Sequence, residues 1–175
     1  LWGAEERISF LTRTKIKFLG KCATIIPGVL PQEKKGKPSF SYTAILPGQL
    51  TQYGLEGEFG ILLRDVPCTK EQFLRSGDVL IKRLNPDCAV VYTENTKQVI
   101  PSANVFVVRP NEELDSCYLA FLLEKSKLLQ RISQLSGVGT TVAAVTASQI
   151  ARGSIPLLPL AQQQELGPVS YTHLT

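Results

Sequence analysis

The sequence predicts an α+β domain in which strands come first and helices later. Two observations predict it. Short, partly β-branched segments separated by turn residues fill the chain as far as Pro110. Helical spacing of apolar residues then begins after Asp115 and continues to Leu135. We therefore expect a strongly twisted mixed β-sheet, with a long helix and a short helix toward the C-terminal end.

Length and composition are those of one globular domain. The chain has 175 residues, of which 43% are hydrophobic and 19% charged, which is enough for a substantial core. No apolar run approaches the ~20 residues that cross a bilayer, and the acids within residues 1–13 do not fit a signal peptide. The four cysteines form no C-x-x-C pair. We expect reduced, mostly buried thiols in a cytoplasmic protein without a membrane partner.

Basic residues are concentrated in one part of the chain. The net charge is +4, but the segment from Leu11 to Phe40 holds seven bases and one acid, so the remainder of the chain is net negative. This asymmetry suits a surface that faces a polyanion. An ordinary solvated surface explains the charge alone equally well.

The strand predictions follow local patterns along the chain. Residues 1–14 have a weak pattern and form a lead-in segment. Lys15–Leu19 alternates polar and apolar residues, which predicts a half-buried strand. A polar loop bounded by prolines occupies residues 31–38. The remaining strands are expected at Cys22–Ile26, Ser39–Leu46, Gly60–Arg64, Asp78–Arg83, Ala89–Tyr92 and Asn104–Val108.

The helices have recognisable ends. Asp115 is a plausible N-cap for the long helix, which Gly137 ends. Thr146 to Gln149 has the form of a capping box, so a short helix should begin there, and we expect Gly153 to end it in a left-handed conformation. Ser154–Leu160 contains two prolines and is expected to be an edge strand or strap.

The order of the C-terminal motifs is more specific than any one of them. A G-x-G-T turn, the capped helix, an I-P-L-x-P-L strap and a glutamine-rich helix start succeed one another between Gly137 and Gln164. This order resembles the end of a target-recognition domain in the specificity subunit of type I restriction–modification systems. Four other segments fit the same pattern: Leu19-Gly20, Gly77–Ile81, Ser102–Pro110 and Tyr118-Leu119.

The resemblance implies a fold, a function and partners. It implies a compact, DNA-methylase specificity-domain-like fold over residues 15–160 that recognises double-stranded DNA and has neither catalytic activity nor a cofactor. The implied partners are modification methyltransferase subunits, restriction subunits and a second recognition domain joined through spacer helices. Residues 161–167 would start a truncated spacer helix. Residues 168–175 lack periodicity, should not continue that helix, and resemble a sequencing-adapter scar.

Candidate DNA-binding residues come from four places. Lysines of the 31–38 loop should contact phosphates, and polar groups just after that loop should read base edges. Strand-end cations and the hydroxyls of the glycine-bracketed turn should add phosphate contacts. Solvated surface polarity is the alternative for each. The set is Lys34, Lys35, Lys37, Tyr42, Gln49, Thr51, Gln52, Lys82, Arg83, Thr140 and Thr141.

Catalytic alternatives have little support in the sequence. The single histidine, His173, lies in the scar-like segment, and no clustered cysteines or acids predict a metal site. Pro86-Asp87 followed by Glu94 and Lys97 resembles a nuclease set, but glutamate and lysine three apart would point to opposite faces of a strand. A protein-interaction module of the same fold, without DNA readout, is the main alternative.

Overall fold

A computed structural model of the chain describes residues 14–30, 41–58, 62–64, 68–95, 98–125, 127–135 and 144–172. The strands are β1 (Lys15–Phe18), β2 (Ala23–Ile26), β3 (Ser41–Ile45), β4 (Leu50–Thr51), β5 (Gly54–Leu55), β6 (Leu62–Arg64), β7 (Val79–Lys82), β8 (Ala89–Val91), β9 (Val99–Pro101), β10 (Val105–Pro110) and β11 (Ser154–Leu157). The helices are α1 (Ser116–Lys125), α2 (Leu128–Leu135), α3 (Ala147–Ala151) and α4 (Leu160–Thr172). None of these helices is long and apolar enough to cross a membrane.

The strands divide among several small sheets. The largest, which we call the central sheet, is antiparallel, in the order β2-β10-β7-β8, so β10 and β7 are its two inner strands. A second sheet has the order β6-β3-β9, in which β3 runs antiparallel to β6 and parallel to β9. An antiparallel ribbon joins β1 to β11, and β4 and β5 form a hairpin. The predicted α+β class with mixed strand pairing is confirmed, although the described strands form four sheets instead of one.

Both faces of the central sheet are buried, and alternate side chains of each strand point to one face or to the other. On β10, Phe106 and Val108 face the helices and share a core with residues of α1 and α2. Val105 and Val107 face the other side and join a second core. Successive side chains of a strand point to opposite faces, which is why β10 reads as a continuous apolar run.

The predicted long helix is interrupted. α1 ends at Lys125 and α2 starts at Leu128, with Lys127 in a left-handed conformation at φ 59°. The apolar spacing continued across the break because Leu122 on α1 and Leu128 on α2 pack into the same core. The predicted cap at Asp115 is confirmed, since its carboxylate accepts a hydrogen bond from the Tyr118 N–H at 2.9 Å.

The short helix begins as predicted and ends differently. Thr146 and Gln149 form the reciprocal capping box, with bonds of 3.2 and 2.9 Å. The left-handed ending predicted for Gly153 is wrong, because its φ is not positive. A Cβ at this position would lie 3.2 Å from the Ile150 carbonyl oxygen and 3.3 Å from the Ile132 side chain, so a larger residue would require these neighbours to shift slightly.

Two further expectations are corrected at the ends of the described chain. β1 forms where predicted, but its apolar side chains face solvent: Ile16 is 65% exposed and Phe18 56%. Its only sheet partner within the described chain is β11, whose Ile155 covers the core instead. α4 continues through Pro168 to Thr172, so the expectation that residues 168–172 do not continue the helix is wrong, although an interior proline removes one backbone hydrogen bond of a helix.

Candidate nucleic-acid interface

A buried ion pair joins two of the motif segments. Arg109 at the end of β10 holds Asp78, which precedes β7, through Nε at 2.8 Å and Nη2 at 2.9 Å. The Asp78 side chain is only 2% exposed, and it also accepts a bond from the Arg75 N–H at 2.8 Å. This bidentate geometry satisfies both carboxylate oxygens. The pair therefore fixes β7 against β10.

The guanidinium of Arg109 also holds the segment before β7. Its Nη1 donates to the Glu71 carbonyl and its Nη2 to the Phe73 carbonyl, both at 3.0 Å. Two of the four hydrogen bonds that this side chain donates thus position a segment that contains no strand of its own. The loop is tied to the central sheet by the residue that pairs with Asp78.

The C-terminal motifs close on the rest of the domain through buried polar contacts. Gln163 on α4 is fully buried; its Oε1 accepts from the Asp115 N–H at 2.8 Å, and its Nε2 donates to the Glu113 and Leu158 carbonyls at 2.8 and 2.7 Å. The Tyr118 hydroxyl on α1 donates to the Pro156 carbonyl on β11 at 2.7 Å. Helix α4 and strand β11 are therefore fastened to α1.

The first motif segment meets the same unit. The Leu19 N–H donates to the Gly153 carbonyl at 2.7 Å, and a Cβ on Gly20 would lie 2.9 Å from the Ala151 side chain. The segments that carry the family-like motif order are therefore in contact with one another through the central sheet and α1. They are Leu19-Gly20, Gly77–Ile81, Ser102–Pro110, Tyr118-Leu119 and the described parts of the C-terminal stretch. We call this unit the framework: β1, β2, β7, β10, β11 and α1–α4.

A second group of strands packs against the framework. We call β3–β6 and β9, with their connecting turns, the appended strands. Ile45 and Leu50 lie in the core formed with Leu80 and Val90 of the central sheet. Ala44, Val29 and Ile100 form a smaller core, which Tyr42 and Phe73 cover. The appended strands thus pack on one another and also on the central sheet.

Five predicted site residues lie outside the described part of the chain: Lys34, Lys35, Lys37, Thr140 and Thr141. The chain around the lysine loop is placed nonetheless. Val29 forms a parallel bridge with Ser102, and the next residue, Leu30, is 66% exposed. The chain returns at Ser41, in the middle strand of the second sheet. The described residues on either side of this loop therefore lie next to the end of β9 and in β3.

The polar residues after that loop differ in what they can contact. Gln49 has a structural role: it is 8% exposed, its Oε1 accepts from the Leu46 N–H at 2.8 Å, and its Nε2 donates to the Glu58 carbonyl at 3.0 Å. These bonds close a loop, which is why we do not retain Gln49 for base readout. Tyr42 is half-buried, its ring tilted 57° against Phe73 with 5.6 Å between the centroids.

The β4–β5 hairpin presents the remaining predicted readout groups. The Thr51 hydroxyl donates to the Gly54 carbonyl at 3.0 Å and accepts from the Tyr53 N–H at 3.1 Å, so it shapes the turn. Gln52 is exposed at the hairpin tip, and Tyr53 beside it is 67% exposed. The hairpin therefore offers an amide and an aromatic side chain to solvent, next to one another.

The strand-end cations lie beside the segment that starts at Ala144, three residues after Thr141 in the sequence. Lys82 contacts Asp87 at 3.1 Å, while Arg83 is exposed. Leu84 forms a bridge with Ala144, and the Val145 N–H donates to the Arg83 carbonyl at 2.9 Å. The backbone of Arg83 and Leu84 therefore contacts Val145 and Ala144, which are the first described residues after position 143.

Three described cysteines and one tyrosine have pKa values raised by burial. Burial raises the pKa of the Cys88 thiol to about 12 and also raises the pKa values of Cys22 and Cys117, which disfavours the reactive thiolate. Burial likewise raises the pKa of the Tyr118 phenol to about 12. Among the described residues, no group of three or more His, Cys, Asp or Glu side chains is placed to hold a metal ion.

Sequence reasoning missed the two features that organise this region. The Asp78–Arg109 pair joins residues 31 apart in sequence, and neither neighbourhood carries a local signal for it. Arg131 and Arg152 line one pocket, but Arg131 lies on α2 and Arg152 directly follows α3. Only the family-like order of segments indicated that these parts belong together.

Comparison with known proteins gives a result for structure alone. No family model matches the sequence, and no curated protein matches it. The HsdS subunit from Thermoanaerobacter tengcongensis superposes with a TM-score of 0.64 at 19% identity, covering 89% of this chain and 40% of that one. A chain from a structure addressing complex assembly and conformational transition of the type I R-M system gives 0.62 at 18% identity, covering 91% and 38%.

A third structure agrees. The type I restriction–modification S subunit from M. genitalium gives a TM-score of 0.55 at 12% identity, covering 90% of this chain and 38% of that one. The chain thus spans about two fifths of the length of the solved subunits that it matches. The resemblance inferred from the motif order is confirmed at the level of the fold: this chain has the target-recognition-domain fold of type I restriction–modification HsdS specificity subunits.

Proposed function

We propose that the chain recognises a double-stranded DNA sequence as part of the specificity subunit of a type I restriction–modification complex. The observation that carries the proposal is the fold match over 89% of the chain to an HsdS subunit. In the proposed complex the chain is non-catalytic and cytoplasmic. Modification and restriction subunits supply the chemistry, and a second recognition domain reads the other half of the site.

The division between framework and appended strands supports a mechanism. The framework is held by buried contacts such as the Asp78–Arg109 pair, so it provides a rigid base. Lysines 34, 35 and 37, in the segment between Leu30 and the start of β3, would contact phosphates. Gln52 and Tyr53, exposed at the hairpin tip, would read base edges, where an amide can pair bidentately with adenine.

Two further contacts complete the proposed interface. Arg83 is exposed, and its carbonyl accepts a hydrogen bond from Val145, four residues after Thr141 in the sequence, so its guanidinium and the hydroxyls of Thr140 and Thr141 would hold one stretch of the DNA backbone. Lys82 is a weaker candidate, because its ammonium already pairs with Asp87 at 3.1 Å. Tyr42 and Thr51 are partly buried, so they would hold the side chains that read bases in position.

The lysine loop can be tested through the salt dependence of duplex binding. Each neutralised phosphate contributes about 0.9 to the slope of log K against log salt. Replacing Lys34, Lys35 and Lys37 by glutamate should weaken binding to all duplexes alike and reduce that slope by roughly three. An unchanged affinity would reject the phosphate-gripping loop.

A matched control separates this effect from net charge. Lys15, Lys21 and Lys125 are exposed on the framework, and their replacement by glutamate changes the total charge equally. We expect this variant to keep most of the affinity and the slope. Equal losses in both variants would indicate diffuse attraction between charges and not a defined phosphate contact.

Base readout is tested separately. Gln52→Ala should alter sequence preference while general duplex affinity stays within a few-fold, because the amide discriminates between bases by about 1–3 kcal/mol. Gln162→Ala, at an exposed position of α4, is the control and should leave the preference unchanged. If Gln52→Ala also leaves it unchanged, the hairpin tip is not part of the readout.

A further inference from the structure

The β4–β5 hairpin is fixed at its base. Leu50 is buried in the core that the appended strands share with the central sheet, and Leu55 packs against the same core. The Glu56 N–H donates to the Gln49 carbonyl at 2.9 Å, and the Gln49 side chain bonds to the backbone on both sides of the hairpin. The hairpin backbone therefore has one defined position on the central sheet.

The turn of the hairpin is fixed as well, and it carries two neighbouring exposed side chains. The Thr51 hydroxyl accepts from the Tyr53 N–H at 3.1 Å and donates to the Gly54 carbonyl at 3.0 Å. Gly54 has a φ of 111°, which glycine adopts more readily than other residues. Gln52 is exposed and Tyr53 is 67% exposed. An amide and an aromatic ring therefore stand side by side on a preorganised backbone, which lowers the entropy lost on binding.

The charge of the hairpin indicates which part of a duplex it can approach. Residues 50–58 contain no lysine or arginine, whereas Glu56 and Glu58 are exposed. Phosphates repel carboxylates, so this segment would gain nothing from lying along the DNA backbone. The major groove admits a two-stranded ribbon and presents uncharged base edges. Base edges are therefore the part of a duplex that the hairpin tip fits.

The two exposed groups have different complements among those edges. An amide pairs bidentately with N6 and N7 of adenine, whereas the apolar surface of a ring suits the C5 methyl group of thymine. Consecutive Cα atoms are about 3.8 Å apart, close to the ~3.4 Å between successive nucleotides of a strand. Because Gln52 and Tyr53 are adjacent, their complements lie on neighbouring base pairs.

We propose that the hairpin tip selects an adenine next to a thymine, with the Gln52 amide on the adenine and the Tyr53 ring on the thymine methyl group. This selection rests on the duplex recognition proposed above, and it adds the bases that this part of the surface reads. Tyr53 is then a specificity-determining residue through its ring and not through its hydroxyl.

The probe is the duplex that the full chain enriches from a random pool. Each thymine is replaced in turn by deoxyuridine, which lacks only the C5 methyl group, and each adenine by 7-deazaadenine, which lacks the N7 acceptor. Binding is followed by fluorescence anisotropy. One deoxyuridine should weaken binding about fourfold, the effect of one buried methyl group. 7-Deazaadenine at a neighbouring base pair should weaken it by at least about threefold.

Each protein variant should abolish one of the two effects. Tyr53→Ala should bind the deoxyuridine duplex and the unmodified duplex equally and keep the 7-deazaadenine effect, and Gln52→Ala should do the reverse. Tyr53→Phe retains the ring and should keep both effects. Phe18→Ala removes another exposed ring, on β1 of the framework, and should also keep both. The salt dependence of binding should be unchanged in Tyr53→Ala, because no phosphate contact is lost.

Several outcomes would overturn the assignment. They are insensitivity of every thymine to loss of its methyl group, a sensitive adenine and thymine that are not neighbours, equal behaviour of Tyr53→Phe and Tyr53→Ala, or loss of the deoxyuridine effect in Phe18→Ala. Normal motif enrichment with no effect of Gln52→Ala or Tyr53→Ala would remove the hairpin from the DNA surface, leaving it for a protein partner, while the proposed function stands. Failure to enrich any duplex would overturn the proposed function and this assignment together.

Discussion

Breaking the Asp78–Arg109 pair tests whether the framework is held as described. In Asp78→Asn the guanidinium keeps its burial but loses its counter-charge, and two bonds of 2.8 and 2.9 Å are weakened or lost. Removing one partner of a buried pair costs about 3–5 kcal/mol. The Arg109 side chain retains 16% exposure, so we expect the lower end, about 3 kcal/mol.

The measurement is the free energy of unfolding from urea titration, followed by circular dichroism. A loss of this size should also lower Tm by roughly 6–12 °C for a chain of this length. Lys17→Met is the matched control, because Lys17 pairs with Glu113 at 2.9 Å in an exposed setting. Such surface pairs contribute about 0–1 kcal/mol.

Two results would refute the reasoning. One is a loss below about 1 kcal/mol for Asp78→Asn, which would mean that water compensates the guanidinium. The other is strict additivity in a double-mutant cycle with Arg109→Met, since residues that share a buried contact should couple by about 0.5–3 kcal/mol. Arg109→Met alone should cost at least as much as Asp78→Asn, because the Glu71 and Phe73 carbonyls also lose their donor.

Three further predictions concern individual contacts. Gln163→Leu should lower the free energy of unfolding by about 3 kcal/mol, because it leaves three backbone groups without their partner. The control Gln164→Leu, at an exposed site, should change it by no more than about 0.5 kcal/mol. Equal effects of the two changes would contradict the role of Gln163. Thr146→Ala should lose about 1 kcal/mol with the N-cap, and Ser148→Ala nearly nothing, both measured by urea unfolding. Burial raises the pKa of Tyr118 to about 12 in the folded chain. The contribution of its phenol to the free energy of unfolding is therefore complete below the pKa of the unfolded chain, near 10, and is lost as pH rises from about 10 to 12. Wild type should therefore lose more stability than Tyr118→Phe between about pH 9 and pH 11; parallel losses would contradict the burial of the phenol.

Local signals in the sequence were sufficient where backbone chemistry determines structure. The Thr146–Gln149 capping box and the Asp115 cap depend on residues within one helical turn, and both form as predicted. The proline-interrupted strap pairs only with β1 among the described strands, because Pro156 cannot donate to a second neighbour. These features could be predicted because each is decided within a few residues.

The errors arise where distant parts of the chain decide the outcome. The alternation in β1 predicted that Ile16 and Phe18 would be buried, but the core side of the ribbon is occupied by Ile155 of β11. β9 was missed because three residues ending in proline carry little strand signal, and its place is set by parallel pairing with β3. The break between α1 and α2 was hidden because both helices pack into one core.

The candidate interface shows the same limit. Gln49 follows Pro47-Gly48 and reads as a surface turn residue, yet its amide closes a loop with Glu58 nine residues away. Gln52, three positions later, is exposed, and sequence alone did not separate the two. The Asp78–Arg109 pair and the pocket with two arginines also required the fold. Residue type thus indicated polar recognition, while tertiary contacts determined which groups are accessible.

Selection from a pool of random duplexes tests the central claim most directly. The full chain would be immobilised at low salt, bound duplexes recovered over successive rounds, and the enriched sequences read. The account predicts enrichment of one short, defined motif, with the Gln52→Ala variant enriching a different or degenerate one. Recovery of duplexes without any sequence enrichment, by protein shown to be folded by circular dichroism, would contradict it.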